Sequence, residues 1–285
     1  MINIKRFSKT ELTEAIVQQV SVAIAEDLGT GDLTASLIPE NKQVKAQVIT
    51  REEGIFCGKL WVDQVFRQLD GSITIDWLVD DGDKLSPNQC LFRLSGNARS
   101  ILTGERTALN FIQTLSGTAT QAYRFSQAVK DLSVKILDTR KTLPCLRLAQ
   151  KYAVLCGKCE NHRIGLYDAF LIKENHIAAC GSIKAAITQA RSLAPNKPVE
   201  VEVENFTELN EAIAEKADII MLDNFSLEEM KQAVKIADGK IPLEASGNMN
   251  MKTLVEVAKT GVDFISIGAL TKHCQALDLS LRIIE

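Results

Sequence analysis

The chain has 285 residues, of which 46% are hydrophobic and 24% are charged. These proportions are typical of a soluble globular protein with one large domain or two ordinary ones. A net charge of −3 argues against a nucleic-acid binder, and no apolar run is long enough for a signal peptide or a membrane span. The seven cysteines, an odd number scattered over a long chain, indicate reduced thiols. We therefore expect a cytoplasmic protein.

The amino-terminal part predicts a helix followed by a small antiparallel sheet. Apolar residues from Leu12 to Ile24 recur every fourth position, which is typical of an amphipathic helix. A turn at 81–89 resembles one in lipoyl and biotinyl carrier domains, but it lacks the exposed lysine of a carrier, so we interpret it as sheet architecture only. Strand-like runs surround one helical run near 60–69, and they cover residues 44–50, 54–57, 73–79 and 90–94.

Residues 98–130 have the apolar spacing of a helix, with an interruption predicted at Ser116 and Gly117. Arg106 lies among the apolar positions of this helix. From the residues alone, the favoured interpretation of Arg106 is a surface pair with Asn110 one turn away or with a neighbour, which is ordinary on helices.

After residue 135 the pattern changes to alternating strands and helices. Repeated units of this kind predict parallel strands joined by right-handed crossovers. We count six units rather than the usual eight, so we expect a small or incompletely closed α/β barrel. The strand-like runs are 135–138, 169–173, 199–204, 218–223, 241–245 and 263–268, and the helical runs are 146–156, 182–193, 207–216, 227–236 and 252–259.

Cations follow two of these strands directly. Parallel strands present their carboxyl ends at one edge, where α/β folds keep their active sites. Clustered cations repel one another, so an anionic ligand best completes such a group. The alternative is that they are ordinary charges on surface loops. The residues expected to converge there are Arg140, Lys141 and Lys173 at the ends of the two strands, and His162 and Arg163 in the polar turn between them.

The run at 199–204 alternates valine and glutamate strictly. Alternation places the valines on one face of a strand and the glutamates on the other. In a barrel wrapped by helices the glutamates would point inward, where cations, ribose hydroxyls or a metal must satisfy them. The alternative is an edge strand with a solvated glutamate face.

Two loops of small residues follow the last two predicted strands, at Ser246-Gly247-Asn248 and at Ser266-Ile267-Gly268-Ala269. Each is predicted to precede a helix, so that backbone N–H groups approach an anion at a helix amino terminus. The end of a barrel is the usual place for a phosphate.

A pair of cysteines, Cys156 and Cys159, precedes His162 and suggests a zinc or redox site. No second CxxC pair accompanies it. We therefore expect no zinc.

Several motifs occur in order along nearly the whole chain and resemble the quinolinate phosphoribosyltransferase family, the carboxylating nicotinate-nucleotide pyrophosphorylases. The resemblance implies a reduced α/β barrel joined to an amino-terminal α+β domain with an open antiparallel sheet. We assign residues 1–115 to the sheet domain and 116–271 to the barrel, with a tail at 272–285 that returns to the sheet domain. The motifs lie at 26–29, 31–34, 105–110, 138–142, 161–163, 171–176, 222–224, 244–248 and 266–273.

The resemblance implies transfer of a phosphoribosyl group from phosphoribosyl pyrophosphate (PRPP) to quinolinate with decarboxylation, in NAD biosynthesis. It implies Lys141, Lys173, Glu202 and Asp223 as catalytic residues, with Mg²⁺ arriving on PRPP near Glu202 and Asp223. The implied quinolinate-binding residues are Arg106, Thr139, Arg140, Lys141, His162, Arg163 and Lys173. The implied PRPP-binding residues are Lys141, Lys173, Glu202, Asp223, Ser246, Gly247, Asn248, Ser266, Gly268 and Ala269.

The family also implies a homodimer in which Arg106 completes the neighbouring subunit's site, within a dimer or a larger oligomer. Cys145, Lys158, Cys159 and Glu160 depart from the glycines usual in the family, which puts the local loop conformation in question. Two alternatives remain open: a paralogue associated with molybdate uptake that acts on another base, and a non-catalytic protein that binds an anionic metabolite.

Overall fold

The structure is a computed structural model that describes residues 7–284. It divides into two compact units. The sheet unit consists of Phe7–Tyr123, Thr142–Lys158 and the segment from His273 onward. The barrel unit consists of Arg124–Lys141 and Cys159–Lys272. No helix among the described residues is long and apolar enough to cross a membrane.

Ten helices and twelve strands make up the described chain, with a short 3-10 helix at Ala35–Leu37. The helices are α1 Lys9–Leu28, α2 Lys59–Leu69, α3 Ala98–Ala128, α4 Arg147–Cys156, α5 Glu174–Cys180, α6 Ile183–Leu193, α7 Phe206–Ala214, α8 Leu227–Ala237, α9 Leu254–Ala258 and α10 Ala269–Lys272. The strands are β1 Gln43–Thr50, β2 Gly54–Ile55, β3 Thr74–Trp77, β4 Lys84–Leu85, β5 Cys90–Asn97, β6 Lys135–Leu137, β7 Phe170–Ile172, β8 Val199–Val203, β9 Ile219–Asp223, β10 Leu243–Ser246, β11 Phe264–Ser266 and β12 Leu279–Ile283.

The sheet unit is built on an antiparallel sheet with strand order β12-β1-β5-β3. The predicted amino-terminal helix is confirmed as α1, which begins at a capping box formed by Ser8 and Glu11 and buries Leu12, Ile16 and Val20. β12 pairs with β1, so the tail from His273 belongs to this unit.

The interruption predicted at Ser116 and Gly117 is wrong, because α3 continues through both residues. A Cβ atom added to Gly117 would lie 2.0 Å from the carbonyl oxygen of Gln275. Ser116 accepts a hydrogen bond of 2.9 Å from the backbone N–H of Cys57. These small and polar residues therefore allow other backbone segments to approach the helix, and they do not end it.

The division at residues 115 and 116 differs from the compact units in two places. The boundary between the units falls within α3, and residues 142–158, which we assigned to the barrel, belong to the sheet unit. The reason is packing: Ala149 and Ala153 on α4 are fully buried in the hydrophobic core that contains Trp61 and Phe92. Strand and helix periodicity does not reveal which core a helix joins.

The barrel unit is a parallel sheet of six strands in the order β6-β11-β10-β9-β8-β7, which confirms the count of six. No pairing of β6 with β7 occurs in residues 7–284, although Leu137 forms a single parallel bridge with Glu160. β9 separates β8 from β10, yet carboxylate oxygens of Glu200 and Glu244 on these two strands lie within 4.8 Å of each other.

The crossover helices of the barrel unit begin at polar caps that are readable in the sequence. Ser182 accepts a hydrogen bond from the N–H of Ala185 at the start of α6. Asn205 and Ser226 act in the same way at α7 and α8. Each cap satisfies an N–H group that has no partner within its helix, and so fixes where the helix starts.

Candidate active site

β8 carries the alternating glutamates, and its five residues are all buried. It pairs with β7 on one side and β9 on the other, so the alternative of a solvated edge strand is wrong. Glu200 and Glu202 contact cationic or imidazole side chains: His162 lies against Glu200, and Lys173 pairs with Glu202. The inward direction predicted for these carboxylates agrees with those contacts.

Asp138, directly after β6, organises the loop that carries His162. Its buried carboxylate accepts hydrogen bonds from the Asn161 side chain, at 2.6 Å, and from the His162 backbone N–H, at 2.9 Å. The backbone N–H of Asp138 also donates to the carbonyl oxygen of Glu160. These hydrogen bonds therefore attach residues 160–162 to the end of β6. Arg140 and Lys141 follow that end of the strand in the chain.

Lys141 lies over the loop after β11. Its backbone N–H donates to Thr139 Oγ1 at 3.1 Å, and its carbonyl oxygen accepts from Thr271 Oγ1 at 2.7 Å. A Cβ added to Gly268 would lie 2.8 Å from Lys141 Cδ. The absence of a side chain at Gly268 thus makes room for the lysine, and the structure brings three predicted site residues together here: Thr139, Lys141 and Gly268.

Arg140 and Arg163 lie near enough to interact. Burial, and next the charge of Arg140, lower the pKa of Arg163, while Glu200 and Asp168 act in the opposite direction. The Asp168 carboxylate also accepts from the backbone N–H groups of Ile164 and Gly165, at 2.7 and 2.8 Å. The arginine is therefore held in a rigid turn, and a pair of neighbouring cations favours an anionic ligand.

Lys173 and Asp223 occupy the ends of β7 and β9. The Lys173 side chain is 43% exposed and forms a short ion pair with Glu202, which is 8% exposed. Asp223 lies opposite Ser246 in the register of β9 and β10. Asp223 and Ser246 are partly exposed, as is Lys173. These side chains thus form an accessible group of mixed charge at the carboxyl ends of the strands.

The two small-residue loops differ from the prediction. α9 begins only at Leu254, so Ser246, Gly247 and Asn248 do not precede a helix directly. Gly247 and Asn248 have positive φ, and a Cβ added to Gly247 would lie 2.3 Å from Asn224 Oδ1. The first loop is therefore a tight turn packed against the end of β9. The second loop does lead into a helix, but α10 is only four residues long.

His162, Glu200 and Glu244 form a buried group that the sequence reasoning did not identify as a site. Burial raises the pKa of Glu244 to about 8, and the charge of Glu200 adds to this effect. Glu200 belonged to the glutamate strand and Glu244 to a recognised motif, yet neither was assigned a role. A carboxylate in the middle of a buried strand is the signal that identifies both.

Arg106 lies in the sheet unit, on the exposed side of α3. It lines a surface cavity of about 340 Å³ together with Asp27, Asp32 and Leu33. Among residues 7–284, no hydrogen bond or ion pair holds the Arg106 guanidinium, so the pair with Asn110 is absent. The charge of Arg106 does act on the neighbouring Glu105, where it partly offsets the rise in pKa that burial causes.

Cys145 and Lys158, which replace family glycines, both adopt the left-handed conformation, with φ of 63° and 65°. This conformation favours glycine and is strained for other residues. Cys159 is buried, and burial raises the pKa of its thiol to about 12. The chain therefore keeps the backbone geometry that glycine would adopt at residues 145 and 158.

The fold and the site together define a class of protein: an α/β-barrel enzyme that binds anionic substrates at the carboxyl ends of its strands. Comparisons with known proteins identify the family. A model of the quinolinate phosphoribosyl transferase C-terminal domain matches residues 118–282, and a model of the N-terminal domain matches residues 32–116. The chain belongs to the quinolinate phosphoribosyltransferase family.

Individual relatives agree with this assignment. The chain is 42% identical to the probable nicotinate-nucleotide pyrophosphorylase [carboxylating] of Bacillus subtilis, over 90% of each protein. It superposes on the nicotinate-nucleotide pyrophosphorylase structure from Francisella tularensis with a TM-score of 0.93 and 55% identity, covering 95% of this chain and 97% of that one. It superposes on NadC from Streptococcus pyogenes with a TM-score of 0.92 and 38% identity, covering 99% and 100%.

Proposed function

We propose that the protein transfers the phosphoribosyl group of PRPP to quinolinate and releases nicotinate mononucleotide, pyrophosphate and CO₂, a step of de novo NAD biosynthesis. The observation that carries this proposal is the group of cations at the carboxyl ends of the barrel strands, beside the carboxylates of Glu202 and Asp223. Family membership over both domains supports it.

Quinolinate carries two adjacent carboxylates, and the cations suit them. Arg140 and Arg163 offer planar guanidinium groups that bind carboxylates through paired hydrogen bonds, and Lys173 adds a point charge. The lowered pKa of Arg163 reflects burial and the nearby Arg140. A dicarboxylate bound here would relieve the repulsion between the two arginines, and we assign Thr139 to the same pocket.

Transfer of the ribosyl group develops positive charge at the ribose C1 carbon as pyrophosphate leaves. Glu202 and Asp223 are placed to stabilise that charge through the ribose hydroxyls, and Lys141 and Lys173 to neutralise the leaving group. The positive charge of the alkylated pyridinium nitrogen then stabilises the electron pair that remains on C2 as the 2-carboxylate leaves as CO₂, and a proton from solvent takes its place at C2. No covalent nucleophile is needed, so no cysteine takes part. The PRPP phosphates would occupy the loops containing Ser246, Gly247, Asn248, Ser266, Gly268 and Ala269.

Mg²⁺ would enter on PRPP, near Glu202 and Asp223, and would neutralise part of the pyrophosphate charge. Because Lys173 already pairs with Glu202, we do not assign any side chain that holds the ion alone. We propose no zinc site at Cys156 and Cys159. The double change of both cysteines to Ala should leave activity within about tenfold, and purified protein should contain no stoichiometric zinc; one zinc per chain, lost together with activity, would contradict this.

We propose a homodimer, within which Arg106 completes the pocket of the neighbouring subunit, and a cytoplasmic location. The support for the dimer is that Arg106 has an exposed guanidinium without an ion pair, while exposed Leu33 and Leu37 lie in the same unit at 88% and 84% exposure. A ribosyl cation requires exclusion of water, which a covering subunit would supply.

The test is release of pyrophosphate from PRPP, measured with quinolinate, nicotinate and nicotinamide in parallel. The proposal expects stoichiometric pyrophosphate, CO₂ and nicotinate mononucleotide with quinolinate alone. Binding of quinolinate without pyrophosphate release would indicate a non-catalytic binding protein. No turnover of any of the three compounds, combined with turnover of another base, would indicate the paralogue associated with molybdate uptake.

A further inference from the structure

Three buried side chains of the barrel unit, His162, Glu200 and Glu244, contact one another. His162 Nε2 lies 2.9 Å from Glu200 Oε2 and 3.5 Å from Glu244 Oε2. The side chains are almost excluded from water, with residue exposures of 9% for His162, 3% for Glu200 and 0% for Glu244. Two carboxylates and one imidazole can be buried together only if their protons are arranged so that the polar atoms have hydrogen-bond partners.

The hydrogen bonds of His162 fix its tautomer. The backbone N–H of Arg163 donates to His162 Nδ1 at 2.8 Å. Because Nδ1 accepts, the ring proton must be on Nε2, from where it is donated to Glu200. A flip of the ring would exchange each nitrogen for a carbon and remove both contacts. Both nitrogens of His162 are therefore engaged within the protein.

Glu200 and Glu244 bring two buried carboxyl groups close together. In residues 7–284, no hydrogen bond of normal geometry reaches Glu200 Oε1 or either carboxylate oxygen of Glu244. The Ser266 hydroxyl is near enough to Glu244 to lower its pKa, but burial and the charge of Glu200 have the larger, opposite effect. Two facing carboxylates have only acceptors, so one must carry a proton to supply the missing donor. Glu244 is the more buried, and its raised pKa, caused by burial and then by Glu200, makes it the protonated one.

The same three residues have atoms close enough to hold a metal ion, but the tautomer argues against that use. A histidine that binds a metal through one nitrogen normally donates a hydrogen bond from the other. Here the other nitrogen, Nδ1, faces an N–H donor instead. A metal on Nε2 would leave the ring without any proton, which is unfavourable near neutral pH.

We infer that Glu244, Glu200 and His162 are positioning residues, which form a buried hydrogen-bonded chain that ends on the backbone of Arg163. In this chain Glu244 donates to Glu200, Glu200 accepts from His162, and His162 accepts from the N–H of Arg163. The guanidinium of Arg163 is held at its far end by a hydrogen bond of 3.2 Å to the carbonyl oxygen of Ala169. His162 thus acts through Arg163, and its ring nitrogens do not contact the substrate.

The direct test is the nitrogen NMR spectrum of protein labelled with ¹⁵N-histidine. The chain has only three histidines, so the spectrum is simple, and His162→Gln identifies the signal of interest. The inference expects His162 as a single tautomer with Nε2 protonated and Nδ1 not, unchanged when quinolinate is added. An imidazolium, a signal that moves on quinolinate binding, or a metal-bound Nε2 restored by zinc after treatment with EDTA would overturn it.

A kinetic test separates positioning from a general structural role, and this arm, like the addition of quinolinate to the labelled protein, rests on the proposed function. Glu200→Leu removes the acceptor for His162, whereas Glu200→Gln retains one. Glu200→Leu should raise the KM for quinolinate at least about tenfold, with the KM for PRPP within about threefold, and Glu200→Gln should restore most of the loss. Equal loss in both variants, or equal effects on both substrates, would overturn the inference.

The two arms fail in different ways. If the protein does not turn over quinolinate at all, the proposed function fails, while the tautomer in the free protein still decides the inference. If Glu200→Leu does not fold, the spectrum of the unmutated protein decides it.

Discussion

Two glutamates on β8 lie on the same face, two residues apart, and have different surroundings. Glu202 is nearer the carboxyl end of the strand and pairs with Lys173, whose side chain is 43% exposed. Glu200 lies about 6.6 Å earlier along the strand, where it contacts His162 and adjoins a second buried carboxyl, Glu244. Position along the strand therefore separates a carboxylate that pairs with a partly exposed lysine, Glu202, from one that contacts buried side chains, Glu200.

The charged residues of the barrel unit form two layers that differ in the same way. The rim layer consists of the charged residues at the strand ends, all at least partly accessible except the buried Glu202: Arg140, Lys141, Arg163, Lys173, Glu202 and Asp223. The inner layer consists of the buried residues beneath them: Asp138, His162, Glu200 and Glu244. We propose that the rim layer binds substrates and that the inner layer fixes the rim. Changes in the rim should therefore affect catalysis most, and changes in the inner layer should affect orientation and stability.

The largest effect is expected in the rim. Lys173→Ala removes a charged contact to both substrates, and such losses amount to ~2–5 kcal/mol, or roughly 30-fold to several thousandfold in kcat/KM. Arg106→Ala should be comparably inactive. Co-expression of the two variants makes about half of the dimers heterodimers, each with one intact site, so activity should return to about a quarter of the unmutated value.

The control for these variants is Lys231→Ala. Lys231 lies on the exposed face of α8, and its ion pair within residues 7–284 is with Glu228, three residues away. This change should leave kcat/KM within about twofold, because exposed pairs contribute little. If mixed Arg106→Ala and Lys173→Ala subunits form heterodimers yet remain inactive, Arg106 does not act across subunits.

A smaller effect, on stability, is expected in the inner layer. Burial and Glu200 raise the pKa of Glu244 from 4.5 to about 8 in the folded protein. Below about pH 4.5 Glu244 is protonated in both the folded and the unfolded protein, so its ionisation does not lower the free energy of unfolding. Between that pH and about 8 only the unfolded chain loses the proton, so the free energy of unfolding should fall by up to ~1.4 kcal/mol per pH unit.

Glu244→Gln cannot titrate and isolates this contribution. Denaturant unfolding at several pH values should give curves for the two proteins that diverge between about pH 4.5 and 8. The unmutated protein should lose stability relative to the variant as the pH rises. Parallel curves across that range would show that Glu244 does not retain its proton.

The smallest effect is expected at Cys145, outside both layers. Its φ of 63° is strained for a residue with a side chain. Glycine at residue 145 should remove about 1–2 kcal/mol of backbone strain from the folded protein. The greater flexibility of glycine also stabilises the unfolded chain, which should cancel about 0.5–1 kcal/mol of this gain. We expect Cys145→Gly to raise the free energy of unfolding by about 0.5–1 kcal/mol, measured in urea, and Cys145→Ala, which keeps the strain, to leave it unchanged. Equal values for the two variants would contradict the assignment of strain.

Periodicity predicted much of this structure. The six parallel strands lie where the apolar runs indicated, and the alternation in β8 gave the inward direction of Glu200 and Glu202. Patterns of this kind report a local property: which face of a strand is buried. The positions of the rim lysines could be predicted for a related reason, because a charged residue that follows a buried strand lies at the end of that strand.

Features that depend on distant contacts could not be predicted. Gly117 was predicted to interrupt a helix, but its lack of a side chain makes room for the backbone of Gln275, more than 150 residues away. The helix α4 packs in the core of the sheet unit, which its own spacing does not reveal. The proximity of Glu200 to Glu244 depends on the order of the strands, which places β9 between β8 and β10, and the sequence does not contain that order.

The central claim is that the rim cations recognise a dicarboxylate. The most direct test is the ratio of kcat/KM for quinolinate to that for nicotinate, which lacks the 2-carboxylate, measured as pyrophosphate release from PRPP. Loss of one contact to a buried charged group is equivalent to ~2–5 kcal/mol. We predict a ratio of roughly 30 to several thousand, whereas comparable values for the two acids would contradict the account.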